Sequence, residues 1–485
     1  MTAANNDAAL IAFNRFGLGA RPGDFAKAGD DPRGFLKSEL RQPDIALVSY
    51  DDSANSNLLT STACIEAAMA AGYQRKLDRN RLAAAIAAQA DTMAATPPPA
   101  AAPTQENAPQ KPDPSIESQL FRAEAQARLR KATTAEAGFV ERFVYFWSNH
   151  FCVSIAKNNI VRAAAGAFER EAIRPFVFSR FADMLIAVER HPVMLLYLDN
   201  PQSVGPHSRV GRNRGRGLNE NLAREILELH TLGVGSGYTQ ADVTGFARIL
   251  TGWTLAGREG RLGEPGSFVF NANAHEPGDE TFLGKVYPAG GMGQAEAVLN
   301  DLARHPSTAR HIAVKLARHF IADDPPPAAV AKLTSVFLDR DGDLRALALT
   351  LIDMPESWST PMTKMRAPFE YVAAIRRATG ADPNQDPRQS IGWLHVLGAP
   401  LWQPPGPNGF SDLVSDEASP EGLNARLEIA RQAARRLTDI GDPDDLAAAI
   451  LGPTAFEETK QAIARAESKQ QALALLFMAP EFQRR

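Results

Sequence analysis

Cysteine is nearly absent from this chain. Cys64 and Cys152 are the only two, they lie far apart, and they support neither a disulfide framework nor a cysteine zinc site. No apolar run approaches the ~20 residues of a membrane-crossing helix, so no membrane span is expected. The start, Met1-Thr2-Ala3-Ala4-Asn5-Asn6-Asp7, has no basic stretch followed by an apolar one and is not a signal peptide as written. A cytoplasmic location is therefore the default expectation. The formal net charge is -4, and there is no acidic tail and no basic balance of the kind that accompanies nucleic-acid binding. The Gly-x-x-x-x-Gly-Lys-Ser/Thr and His-Glu-x-x-His patterns are both missing, which excludes a P-loop and the commonest zinc-peptidase helix. No short internal repeat is evident.

What is present is mostly helix-forming sequence. Of 485 residues, 44% are hydrophobic and 22% charged. These are ordinary values for a soluble globular protein, and the length allows one large domain or two or three. Residues 61 to 93 are alanine-rich with interspersed Arg and Lys and predict one long helix. The prolines of residues 94 to 116 cannot hold a helix or bury a core, so a disordered surface insertion is expected there. It separates an N-terminal helical lobe, 1 to 93, from a main helical body, 117 to 485, with which that lobe is expected to form one compact unit. Only residues 267 to 290 differ in character. Phe268-Val269-Phe270 alternates like a strand, and Phe282 to Tyr287 can return as a second one. The expected fold class is mainly α, a multi-helix array with one small β-hairpin near 267 to 290.

The densest polar chemistry lies in Gly217 to Gly233. Asn219 can cap a helix, because its side-chain oxygen can accept from first-turn amides. Gly233 suits the left-handed position just past the helix end. Leu222, Ile226 and Leu229 form an apolar stripe, whereas Asn221, Glu225 and Glu228 fall on the other side. Glu225 and Glu228 are neighbours at a spacing of three, and Glu220, Arg224 and Glu228 make a charge ladder at spacings of four. That ladder alone could account for the pattern. His230 sits near the apolar stripe, where a hydrogen-bonded core histidine competes with an acid-base group. The residue three after Glu228 is Thr231, so the Glu-x-x-His unit of di-iron bundles is not formed.

Immediately before this helix, Arg209, Arg212, Arg214 and Arg216 alternate with small residues. Arginine forks suit carboxylate, phosphate or sulfate, and glycines let a backbone approach a ligand closely. The alternative is a mobile loop whose arginines pair with the acidic helix. Asn149 and His150 close a very apolar helix that carries Phe139, Val140, Phe143, Phe146 and Trp147. They read either as a satisfied core pair or as a site. His275 falls on a turn among Glu276, Asp279 and Glu280. His311, Lys315 and His319 share one helix face and read as a solvated basic face, because a lysine between two histidines opposes metal binding. The proline-rich loop 400 to 410 either walls a pocket or crosses the surface.

Several of these segments together resemble one bacterial family, catalogued as domain of unknown function 1800. They include Asn14 to Gly19, Phe146 to Phe151, Leu218 to Gly233, Gly237 to Gln240, Ala247 to Trp253, His275 with Phe282 to Gly284, and Ala317 to Phe320. The resemblance carries no catalytic roles. It implies emphasis on Asn149, His150, Asn219, Glu220, Asn221, Arg224, Glu225, Glu228, His230 and His275. It also implies a sulfatase-like protein partner, and with it periplasmic co-export as an alternative to the cytoplasm.

The residues lead to two readings. In the first, an enzyme-like protein acts on a polar, anionic or carbohydrate-derived substrate. Glu225, Glu228, His150 and His230 do acid-base work, and Arg224 with Arg212, Arg214 and Arg216 holds anionic groups. A divalent transition metal bound by Glu225, Glu228, His150 or His275 fits that chemistry. In the second, a non-catalytic helical accessory protein escorts its partner, and the polar helix is a structural network.

Overall fold

The computed structural model describes residues 3–48, 58–93, 113–214, 217–437, 440–452 and 455–485. The Ala/Pro-rich stretch from 94 to 112 and Arg216 lie outside the described residues, and the Arg214 side chain is likewise not described.

The fold is mainly α, as the periodicity predicts. The alanine-rich segment is one helix, Ser61–Met93. Asp31 caps Pro32–Arg41 with proline in its first turn, and Thr239 with Asp242 forms a capping box at the head of Gln240–Leu250. Arg174 and Pro175 interrupt the helical run between Asn159–Phe168 and Phe181–Glu189. Among the described residues, no helix is long and apolar enough to cross a membrane.

The β structure differs from the expected pairing. Phe268–Phe270 does form a strand, but its antiparallel partner is Trp253–Leu255. Glu280–Phe282 and Lys285–Tyr287 close on each other as a separate tight hairpin. Leu283 and Gly284 make that turn with φ of 48° and 72°, a conformation in which the second position favours glycine.

One hydrophobic core runs from Ala9 to Phe482. Its axis is the helix Phe139–His150, whose Phe139, Phe143 and Trp147 are fully buried. Phe320, from Pro306–Phe320, packs against Phe139 and Phe143 at ring separations of 5.7 and 6.4 Å. The first helix positions of Phe139–His150 have a dedicated anion. Glu39, itself buried, accepts from the amides of Ala137, Gly138, Phe139 and Val140 at 2.7 to 3.3 Å. Burial raises its carboxyl pKa, and the amide bonds pull the other way.

Buried arginines tie distant segments together. Arg15 donates to the carbonyls of Ser357 and Pro361, and Arg366 donates to Asn14 Oδ1 at 2.7 Å. Gly17 is required at this junction, because a Cβ there would lie 2.2 Å from the Ala137 carbonyl oxygen. The family-like segment Asn14 to Gly19 is therefore a structural clasp. Deeper in, Arg142 and Arg485 both pair with Glu370, at 3.0 and 2.8 Å.

Because Glu39 satisfies four orphan amides at once, Glu39→Ala leaves them buried without partners. We expect a loss of about 3 kcal/mol in unfolding free energy by urea titration. A change below about 0.5 kcal/mol would show that the helix start is not held this way.

Candidate functional site

The central segment starts as an α-helix, Asn221–Glu225, and ends as a π-helical turn, Ile226–His230. The sequence does not announce this change. Asn219 caps it as expected, accepting from the Asn221 amide at 3.0 Å, although the backbone boundary falls one residue later, at Glu220. Gly233 takes φ +88° and closes the end by donating to the Leu227 carbonyl at 3.1 Å.

The outer face of the segment is occupied by its own neighbours. Arg224 bonds Glu228 at 3.4 Å, Glu220 at 3.3 Å and Gln240 at 3.0 Å. Glu220 also accepts from Gln240 and Thr244, and Thr244 is first among the contacts that lower its pKa. Glu228 accepts from the Tyr238 hydroxyl as well. The Asn221 amide is used by Asn219, and its side chain is exposed.

The π turn frees the last carbonyls, and two imidazoles from other helices fill them. His311 Nε2 lies 3.1 Å from the Leu229 oxygen. His150 Nε2 lies 3.2 Å from the His230 oxygen. A carbonyl only accepts, so each Nε2 carries the proton and each Nδ1 is left as an acceptor. The Nδ1 of His150 takes a hydrogen bond from Lys315 Nζ at 2.9 Å. Burial first, and Lys315 second, hold His150 well below the usual histidine range. The same two causes push His311 down to about 4. His230 turns its own ring to Glu189, with Nδ1 at 2.8 Å from Oε1, both groups being buried.

Lys315 is the group the sequence misplaces. Its spacing with His311 and His319 reads as a solvated face, yet His319 is 1% exposed and Lys315 is only partly exposed. His319 bonds Asp412 at 2.8 Å, and that contact helps to hold Asp412 down at about 2. Lys315 forms no ion pair with a carboxylate within 4.0 Å among the described residues; its one hydrogen bond is to His150. Burial lowers its pKa, and the more distant charge of Asp412 opposes that. The clue available in the sequence was the i, i+4, i+8 spacing of His311, Lys315 and His319 on a helix that also carries the buried Ile312, Leu316 and Phe320.

Cys152 lies within charge reach of Lys315, and Glu225 within charge reach of Cys152, Tyr197 and His230. Cys152 Sγ points to the carbonyls of Gly406 and Pro407 at 3.5 and 3.2 Å. Burial pushes its thiol up to about 12, so it is a protonated thiol and not a nucleophile. Glu225 raises the pKa of both Cys152 and Tyr197. Its own carboxyl is raised by burial, against the pull of His230. Asn149 clamps the 400 to 410 loop beside the cluster, donating to the Phe410 carbonyl at 2.9 Å and accepting from the Phe410 amide at 2.8 Å. It is a loop anchor.

Other expected contributors stand apart. His275 bonds the Thr251 carbonyl at 2.9 Å and packs on Phe270; none of its contacts is with His150 or the central segment. The arginine loop is in fact a short helix, Arg209–Arg214, with Arg209 and Arg212 exposed. Of its described glycines, Gly211 packs on the chain itself, a Cβ there lying 2.2 Å from the Gly205 carbonyl oxygen, whereas a Cβ at Gly217 would meet nothing within 4 Å. Among the described residues no group of three or more His, Cys, Asp or Glu side chains is placed to hold a metal ion. The ring nitrogens of His150 are both engaged, one of them with a lysine that would repel a cation.

The family described as "Protein of unknown function (DUF1800)" matches the chain over residues 11–484. No curated protein and no solved structure matches it.

His311 in the folded chain binds its proton only near pH 4, against about 6.5 when unfolded. The unfolded state therefore takes up that proton first as pH falls. The stabilisation is complete above pH 6.5 and is lost on going down through pH 4, on the order of 1–3 kcal/mol. Urea midpoints measured across this window should drop in the parent protein and drop less in His311→Gln. An identical slope in the two proteins would contradict the assignment.

Proposed function

The chain belongs to the DUF1800 family, and on that premise we propose an enzyme-like protein in which Lys315 and His150 carry the chemistry. The reading rests on one observation. A partly exposed lysine has a neutral imidazole as its hydrogen-bond partner and no carboxylate within ion-pair reach among the described residues. Such an amine gives up its proton more readily than a surface lysine and can serve as a general base. We assign it the task of taking a proton from water or a substrate hydroxyl in a hydrolytic reaction. Glu225, whose carboxyl is raised by burial, would return a proton to the leaving group. His150 is a positioning residue: its tautomer is fixed by the His230 carbonyl, and it aims the amine. The substrate would be polar or carbohydrate-derived, and Arg212, which stands apart from this cluster, is given no role in it. Arg224 is already engaged in the ladder with Glu220 and Glu228 and is likewise given none.

One observation favours a second reading, a non-catalytic accessory protein. The charged face formed by Glu220, Arg224, Glu228, Gln240 and Thr244 is mutually paired, as a structural network would be. Its partner would be the sulfatase-like protein that the resemblance implies, and export would then follow that partner.

The two readings separate on a panel of 4-nitrophenyl sulfate, phosphate and glycoside substrates. The enzyme reading expects turnover that falls by about 100-fold or more in both Lys315→Met and Glu225→Gln, with melting temperatures unchanged. Turnover that survives Lys315→Met would contradict it. No turnover on any member of the panel would favour the accessory reading.

A further inference from the structure

A separate cavity of about 460 Å³ opens between the helices Ile116–Thr134, Asn159–Phe168 and Arg388–Val396 and the loop that follows the last of them. That volume is within the range of small-molecule sites. Its chemistry is one-sided. Arg122, Arg162 and Arg388 line it, no acidic side chain does, and Phe121, Ile155 and Leu401 supply an apolar floor. Arg388 is neutralised from outside by Asp386 at 2.7 Å. Arg122 and Arg162 have no carboxylate within 4.0 Å among the described residues. The Nε of Arg162 is buried and makes no hydrogen bond within the chain, so its guanidinium is not fully satisfied by the protein itself.

The floor is built to stay in place. The loop is pinned where the Ile155 amide donates to the Trp402 carbonyl at 2.9 Å. Trp402 holds φ +49°, rare for a bulky residue. Its ring is fixed by a bond from Nε1 to Glu169 at 3.1 Å and by edge contact with Phe121 at 6.0 Å. A pre-formed apolar floor beneath Arg122 and Arg162, neither of them ion-paired within 4.0 Å among the described residues although the charge of Asp386 reaches Arg122, selects for shape and charge together.

We propose that this cavity binds a small organic anion with an apolar body, such as an aryl or short-chain alkyl carboxylate. The apolar part lies on Phe121, Ile155 and Leu401, and the carboxylate bridges Arg122 and Arg162. The inference stands apart from the Lys315–His150 reading, because none of the cavity's residues belongs to that site.

The test is calorimetric titration of the full-length protein with 2-naphthoate and, separately, with its neutral isostere 2-naphthamide. Saturable one-to-one binding of naphthoate is expected, about tenfold or more tighter than the amide, a difference one charge-assisted bond can supply. Arg162→Gln and Arg122→Gln should each weaken naphthoate by about fivefold or more and leave naphthamide unchanged, whereas Arg209→Gln on the surface should change neither. Absence of saturable naphthoate binding, equal affinity for the two probes, or naphthoate affinity unchanged in both cavity variants would overturn the proposal. Having two cavity variants keeps the test decisive if one of them fails to fold.

Discussion

The carbonyl ends of one helix govern the centre of this molecule. A helix terminus inside a protein cannot leave its last acceptors bare. Here a π turn presents the oxygens of Leu229 and His230 to two imidazoles, from His311 and His150. Those two bonds hold three helices together at one point. They also set proton positions. With its Nε2–H committed to a carbonyl, His150 has an acceptor left for Lys315. The placement of the lysine therefore follows from backbone hydrogen-bond accounting, and so does its chemistry.

The surrounding charges divide into structural and available groups. Glu39 is consumed by four amides. Glu370 is consumed by Arg142 and Arg485, and Arg224 by Glu220 and Glu228. Buried pairs of this sort are a weak source of net stability, but breaking one is expensive, because it strands a charge. Lys315 stands outside these pairs, with the neutral imidazole of His150 as its hydrogen-bond partner.

Much of the architecture could be read from local signals. Thr239 with Asp242, Asp31 before Pro32, and the alanine-rich run from 61 to 93 act over a few residues, and each set an element boundary or body as expected. The charge ladder of the central segment was likewise visible, since i, i+4 neighbours need no tertiary information. What could not be read was long-range. Whether His311, Lys315 and His319 meet solvent or core depends on Pro306–Phe320 packing beside Phe139–His150, contacts such as Lys315–His150 and His319–Arg142 that span 165 and 177 residues of sequence. The partner of Phe268–Phe270 turned on which strand was nearer in space, and Trp253–Leu255 carried too short a pattern to compete on paper. The glycines of the arginine segment pointed to a close approach, but the approach is to Glu276 and to the segment's own backbone. The resemblance drew attention to His150 and to the central segment, but Lys315 lay outside the motifs it highlighted.

The most direct test of the account is the protonation state of His150. Selective ¹⁵N labelling of the nine histidines, with His150→Gln for assignment, reports each ring's tautomer by long-range proton–nitrogen correlation. A neutral ring with its proton on Nε2 that does not titrate near 6.5, where an ordinary histidine would, is the predicted result. A ring protonated on Nδ1, or one that titrates near 6.5, would contradict the geometry from which the role of Lys315 is drawn.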